Sequence, residues 1–333
     1  MKSIITGGGG FVGSHLCERL VKDGHEIIVL DNFSLGKIDN LKKFKNKITI
    51  VKKDIRNLNS INNLFKKTHN VFHLAALADI VPSIENPDDY FSTNVTGTYN
   101  VLKASINNKV KRFIYTASSS CYGIPNKFPT KETSEILPKY PYALTKRLGE
   151  ELVIHFAEIY NLNATSLRLF NVYGPKARTS GNYGAVFGVF LAQKIAKKPF
   201  TVVGDGKQTR DFTFVSDVVD AIAKVSRKKN LGGDILNIGS GKTVSINRIA
   251  KLLEGRTKRI PKRPGEPNIT FADISKIKKK TGWKPKVSIE EGIKIMTNNL
   301  DDWKNAPIWT PKKIEKETKK WFFYLGKKNN LKL

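Results

Sequence analysis

Lys2-Ser3-Ile4-Ile5-Thr6-Gly7-Gly8-Gly9-Gly10-Phe11-Val12-Gly13 opens the chain and decides its fold. A short apolar strand runs into a glycine-rich turn. From Phe11 to Lys22 the apolar residues Val12, Leu16, Leu20 and Val21 recur at helical spacing. In that context Gly7 permits the tight turn, Gly10 lets the backbone approach a pyrophosphate, and Gly13 lets helix and strand pack closely. The helix N-terminus then offers free N–H groups and the positive end of its dipole to phosphate. The stretch therefore predicts a dinucleotide site, with Phe11 and Val12 at its edge.

Strand and helix patterns alternate from there. Glu26–Asp31, Ile48–Asp54, Asn70–Ala76, Arg112–Ser118 and Thr165–Val172 read as strands, and 60–67, 87–107 and 142–160 as helices. On the 87–107 helix, Tyr90, Val95, Tyr99 and Leu102 form the expected buried stripe. The alternation predicts an α/β fold with a doubly wound parallel sheet of the Rossmann kind. Residues 1–173 form the expected dinucleotide domain, with 211–240 returning to it. After Tyr173-Gly174-Pro175 glycines, short strands and short helices mix, which predicts a smaller, interleaved α+β substrate domain over 174–300. An aromatic and basic extension, 301–333, carries Trp303, Trp309, Trp321 and Phe322-Phe323-Tyr324; these need a surface to pack on, the body or a subunit partner rather than a ligand. Its last residues, 327–333, read as a loose end.

Composition bounds the rest. The chain has 333 residues, and 58 Lys plus Arg against 29 Asp plus Glu give a net charge of +29. The basic residues are spread along the chain with no nucleic-acid motif, so the excess reads as a solvated surface that favours anionic small molecules, not as a nucleic-acid interface. No apolar run is long enough for a membrane span. Cys17 and Cys121 make no disulfide framework, the five histidines have no metal-ligand spacing, and a cytoplasmic setting is expected. His73 reads as a core residue and Cys121 as a buried packing thiol.

The chemistry-bearing residues lie downstream of the turn. Asp31, 18 residues after Gly13, is placed to accept from adenine ribose hydroxyls and to repel a 2′-phosphate, which favours NAD over NADP. Asp54-Ile55 can meet adenine, or Asp54 can cap the next helix. Tyr142 and Lys146 are four apart at a helix start and share a face. An ammonium beside a phenol is expected to lower its pKa and make Tyr142 a general base. Ser118, ending a strand, can share the substrate proton.

These elements, with Thr-Gly-x-x-Gly-Phe-x-Gly at 6–13, His73-Leu74-Ala75-Ala76, Asn94-Val95-Thr96-Gly97-Thr98, Ser118-Ser119-Ser120-Cys121-Tyr122-Gly123, Leu167 to Pro175, Gly204-Asp205-Gly206-x-x-x-Arg210-Asp211 and Arg263-Pro264-Gly265-Glu266, resemble the extended short-chain dehydrogenase/reductases. The type most resembled is the NAD-dependent epimerase/dehydratases that act as UDP-glucose or UDP-N-acetylglucosamine 4-epimerases in polysaccharide biosynthesis. The resemblance runs from about residue 1 to 298. It implies catalytic Ser118, Tyr142 and Lys146. It implies NAD contacts from Gly7, Gly10, Phe11, Val12, Gly13, Asp31, Asn32, Asp54, Ile55, Leu74, Ala75, Ala76, Asn94, Thr116, Tyr142 and Lys146. A UDP-sugar would meet Ser118, Asn171, Arg210, Arg263 and Thr270, with its base near Phe200-Thr201-Val202. The implied reaction removes hydride from sugar C4 to tightly held NAD and returns it to the other face of a 4-keto sugar. A homodimer built on the 87–107 and Tyr142 helices is also implied.

Departures matter as much. An Asp-Glu pair that dehydratases of the family carry is replaced by Ser119 and Ser120, and the glutamate of the UDP-glucuronate decarboxylases is missing as well. The resemblance still leaves open UDP-glucuronate as substrate, another nucleotide, a keto-sugar reductase, or a non-catalytic NAD-sensing interaction protein. The last is disfavoured because tyrosine and lysine are both intact.

Overall fold

Strands that are apolar along their whole length need cover on both faces, and a parallel sheet between helices provides it. The computed structural model describes residues 1–177 and 186–326. Its main sheet holds β1 (Lys2–Thr6), β2 (Glu26–Asp31), β3 (Ile48–Lys52), β4 (Asn70–His73), β5 (Arg112–Ser118), β6 (Ala164–Leu169) and β7 (Ile235–Ile238). All pairs are parallel and the spatial order is β7-β6-β5-β4-β1-β2-β3. This is the Rossmann order, in which the direction of winding reverses between β1 and β4 and opens a crevice beyond their C-terminal ends.

Helices cover the sheet in two layers. On one face lie α1 (Phe11–Lys22) and, from later in the chain, a helix at Val215–Ser226; Leu16, Cys17, Leu20, Val218 and Ile222 are buried there. That core continues into the second half, through Phe190, Phe200, Trp283 and Trp303. On the other face Val101, Leu102, Val153 and Phe156 pack against Val71, Phe113 and Tyr115.

Several strand ends fall short of expectation, for one reason. β4 stops at His73, not Ala76, because β1 ends opposite it at Thr6, whose side chain takes over the N–H groups of Leu74 and Ala75. β3 stops at Lys52 where β2 runs out at Asp31, and β6 stops at Leu169 where β5 ends at Ser118. The expected 60–67 helix is two short turns, Leu58–Ile61 and Asn62–Phe65, and Asn57 rather than Asp54 caps it by accepting from Ser60 N.

The 87–107 helix is continuous but contains a π turn at Ser92–Thr96 between Pro87–Phe91 and Gly97–Asn107. The extra residue rotates the downstream face. Tyr90, Asn94, Thr98, Val101 and Leu102 point inward, while Tyr99, expected in the stripe, is 42% exposed. Alongside it runs the Pro141–Ile159 helix.

A buried ion pair ties that helix to the sheet. Glu150 and Arg168 are both sealed from solvent; Arg168 Nη2 lies 2.7 Å from Glu150 Oε1, and Ser166, Tyr122 and Arg147 complete the network. Removing one partner of such a pair leaves the other charge uncompensated in a dry interior. Glu150→Ala is expected to cost about 3–5 kcal/mol in denaturant unfolding, while Glu150→Leu combined with Arg168→Met recovers most of that loss.

Candidate active site

The crevice is built first from backbone. Gly7 has φ of +71°, and a Cβ there would stand 2.7 Å from Ala75 N. A Cβ on Gly13 would collide with the Gly7 carbonyl oxygen. Thr6 Oγ1 pairs with His73 Nδ1 at 2.6 Å, and His73 Nε2 with Thr98 Oγ1 at 2.9 Å, so the ends of β1 and β4 and the helix beside them are locked together. His73 is the core residue expected, and burial depresses its pKa to about 3. No side chain caps α1, which leaves its first-turn N–H groups for a ligand. Asp31 accepts from Gly9 N and Phe33 N, each at 2.8 Å, and burial raises its carboxyl above the ordinary value.

A cavity of about 880 Å³ opens over this floor. Gly7, Gly10, Phe11, Val12, Gly13, Asp31, Asn32, Asp54, Ile55, Leu74, Ala75, Ala76 and Thr116 line it, as do Ser118, Tyr142, Lys146, Asn171, Arg210, Arg263 and Thr270. Asp54 is held by Arg56, through its backbone N–H and its guanidinium, and by Asn32, and these contacts bring its pKa down to about 2. Asn94 is not among the lining residues. It is buried, its amide takes Leu77 N and gives to Leu77 O and Thr145 Oγ1, and so it braces the cavity wall from behind instead of facing in. Asn94 sits within the π turn at Ser92–Thr96, and a sequence motif shows no such turn.

Ser118 ends β5, and Tyr142 and Lys146 stand on the first turns of the Pro141–Ile159 helix. Tyr142 lies between Tyr140, nearly parallel at 6.4 Å between centroids, and Tyr90, edge-on at the same separation. Burial pushes the Tyr142 phenol up, and the Ser118 hydroxyl pulls it back. Lys146 is buried with its Nζ 4.2 Å from the centre of the Tyr115 ring, and burial drops its pKa to about 7. Burial is the largest influence on each of the two groups, and it is Ser118 that favours the ionised Tyr142 phenol.

Away from that trio two guanidiniums meet. Arg210 Nη2 and Arg263 Nη1 approach Glu266 Oε1 at 3.2 and 3.9 Å. Two positive groups on one carboxylate leave a positive surplus, and guanidinium forks match phosphate oxygens. Thr270 Oγ1 accepts from Asn171 Nδ2 at 2.8 Å and Asp211 N at 3.1 Å, which fixes both cavity-lining side chains. Of Phe200-Thr201-Val202 only Thr201 faces the cavity; strand alternation sends the two neighbours into the core.

Sequence reading missed Tyr140, Asp79, Trp309 and Trp321, all of which line the cavity. Tyr140 carried a signal, two residues before Tyr142. The tryptophans were expected to pack on the body, and Trp321 does so, yet it also faces the ligand space. Nothing in their spacing marks that. Cys121 is the packing thiol expected, set among Tyr122, Phe170 and Ala272.

Residues 4–296 match the family model described as GDP-mannose 4,6 dehydratase. A UDP-glucose 4-epimerase of Mycolicibacterium smegmatis is 33% identical over 303 residues, 88% of this chain and 96% of that protein. A UDP-N-acetyl-alpha-D-glucosaminuronate decarboxylase of Bacillus cytotoxicus is 36% identical, covering 88% of this chain and 95% of its own. Among solved structures, a UDP-glucuronic acid 4-epimerase from Bacillus cereus, in complex with UDP-glucuronic acid and NAD, superposes with a TM-score of 0.84 at 30% identity, covering 90% of this chain and 99% of that one. The chain belongs to this epimerase/dehydratase family of the short-chain dehydrogenase/reductase fold.

A lysine whose pKa falls on folding binds fewer protons folded than unfolded between pH 7 and its ordinary value near 10. Its cost to stability is full below pH 7 and is relieved as pH rises through that window. Lys146→Met is therefore expected to raise the melting temperature at pH 7 by about 2–4 °C or more, with the gain over wild type shrinking towards pH 10, as scanning calorimetry across that range would record.

Proposed function

We propose that this protein is a nucleotide-sugar C4 epimerase, acting on a UDP-hexose or UDP-N-acetylhexosamine with NAD held on the glycine turn. One observation carries the reading: a single cavity is lined by the glycine turn and Asp31, by Ser118, Tyr142 and Lys146, and by Arg210 and Arg263. The residues fit NAD. Gly7 and Gly13 leave the backbone bare, the α1 N-terminus is uncapped, and a buried Asp31 carboxylate disfavours the 2′-phosphate of NADP. When bound, NAD supplies an acceptor for hydride from sugar C4 and a donor that returns it to the opposite face.

The protein groups have distinct tasks. Tyr142 takes the C4 hydroxyl proton as hydride leaves, and Ser118, beside it, shares that proton. Lys146, when protonated, favours the phenolate by charge. Arg210 and Arg263 hold the diphosphate, so the sugar can turn over while the nucleotide stays. Glu266 keeps the two arginines from repelling each other before substrate arrives.

Ser119 and Ser120 support epimerisation over the other reactions of the family. Neither is an acid or base of the kind that eliminates a C6 hydroxyl. Thr270 is short and pinned by Asn171, which supports room for a 2-N-acetyl group. Phe91, Tyr99, Leu144, Ile159 and Tyr160, exposed on the paired helices, support a homodimer, which light scattering would measure. No helix among the described residues is long and apolar enough to cross a membrane.

Incubation with UDP-glucose, UDP-galactose, their N-acetyl counterparts and UDP-glucuronate, followed by proton NMR of C4, tests the reading. Inverted C4 without added cofactor is expected; a pentose from UDP-glucuronate, or reaction only with added NADPH, overturns it. Tyr142→Phe should slow turnover about 10²–10⁴-fold with NAD binding unchanged. Thr270→Tyr should depress turnover of N-acetylated sugars far more than that of plain hexoses.

A further inference from the structure

The family model stops at residue 296, and the chain does not. The segment beyond it is folded onto the cavity. A 3₁₀ turn at Leu300–Trp303 buries Trp303 in the core, and Asp302 accepts from Lys176 N. Gln193 Nε2 then donates to Trp309 O at 2.7 Å and to Thr201 Oγ1 at 2.9 Å, so the segment is pinned behind a cavity-facing threonine. The last helix, α2 (Pro311–Gly326), buries Ile314, Thr318 and Trp321.

α2 touches two separate parts of the cavity wall. One is the helix Ile80–Glu85, whose first residues line the cavity and whose Glu85 lies 3.9 Å from Lys320 Nζ. The other is the Arg263–Glu266 turn. Trp321 Nε1 donates to Pro264 O at 2.8 Å, and the Trp321 ring stands 5.4 Å from the Arg263 Cζ. Leu325 packs over Gly265, and Gly326 over Pro264. The indole thus grips the turn by its backbone and its arginine at once.

We propose that Trp321 is a positioning residue for nucleotide binding: it holds the Arg263 guanidinium ready in the cavity wall, and α2 straps the Arg263–Glu266 turn to the Ile80–Glu85 helix. The inference rests on the assignment of Arg263 to the diphosphate made above. An arginine is long and many-rotamered, and its turn contains Gly265 at φ of +72°. Fixing the side chain before ligand arrives removes an ordering cost from binding. The ring does this by cation–π attraction, strongest where water is excluded. Because the grip acts on Arg263, not on the reacting carbon, it should govern affinity and leave the chemical step alone.

The test is calorimetric titration of UDP into the NAD-loaded full-length protein, with steady-state kinetics alongside. Trp321→Leu stays apolar but is smaller and has no π face; it should weaken UDP about tenfold and raise KM by a similar factor, with kcat at saturation within about twofold. Trp321→Phe keeps a face and should bind within about threefold of wild type. Tyr324→Ala, on the exposed side of α2, should match wild type. In an Arg263→Ala background, Trp321→Leu should cost nothing further, since its effect runs through the arginine. Unchanged UDP affinity in Trp321→Leu, equal loss in the Leu and Phe variants, full additivity with Arg263→Ala, or a fall in kcat at unchanged KM would each overturn the proposal. If wild type itself bound no UDP, the assignment of Arg263 would fall first; wild-type binding with an indifferent Trp321→Leu would sink the strap alone.

Discussion

Backbone meets backbone where β1 and β4 end, and Gly7 turns against Ala75 with no room for a side chain. That approach depends on the parallel register of the two strands, Thr6 opposite His73, and on the Thr6–His73–Thr98 chain of hydrogen bonds that locks it. It sets the uncapped start of α1, the position of Leu74 to Ala76, and the crevice between diverging connections. A single methyl group at Gly7 would push apart the two loops that form the cavity floor.

The second constraint is electrostatic. The cavity keeps titratable groups away from water in two places. Tyr142 and Lys146 are both driven towards their neutral forms by burial. Arg210 and Arg263, both always charged, share the single Glu266 carboxylate between them. A site arranged this way answers strongly to charge brought in by a ligand, since a low-dielectric wall screens little. Below the trio, Glu150 and Arg168 neutralise each other out of reach of solvent, and Glu150 also steadies the Lys146 charge.

Much of this was legible in the chain. The glycine turn after an apolar strand, Asp31 at the end of the next, and the Tyr142/Lys146 pair all depend on spacing within one or two elements, and spacing is what sequence displays. Their nearness to Arg210 and Thr270 was readable only through resemblance. What was not legible turned on local rotation and on distant contacts. Asn94 was assigned to the cofactor; in the fold it lies in the π turn at Ser92–Thr96 and bonds Leu77 and Thr145. Lys146 was expected to acidify Tyr142; how deeply each group is buried, the largest influence on both, is a property of the packed molecule. Lys327 to Leu333, read as a loose end, lie outside the described residues.

By itself, then, the chain's order of strands, glycines and paired tyrosine and lysine determined a doubly wound sheet with a dinucleotide crevice, because periodicity and turn chemistry act over a few residues. Only the tertiary structure decided which side chains look into that crevice, how far burial shifts them, and that Trp321, far along the chain from Lys146, closes on Arg263. Those outcomes depend on how helices rotate and on which surfaces meet, and no local pattern encodes either.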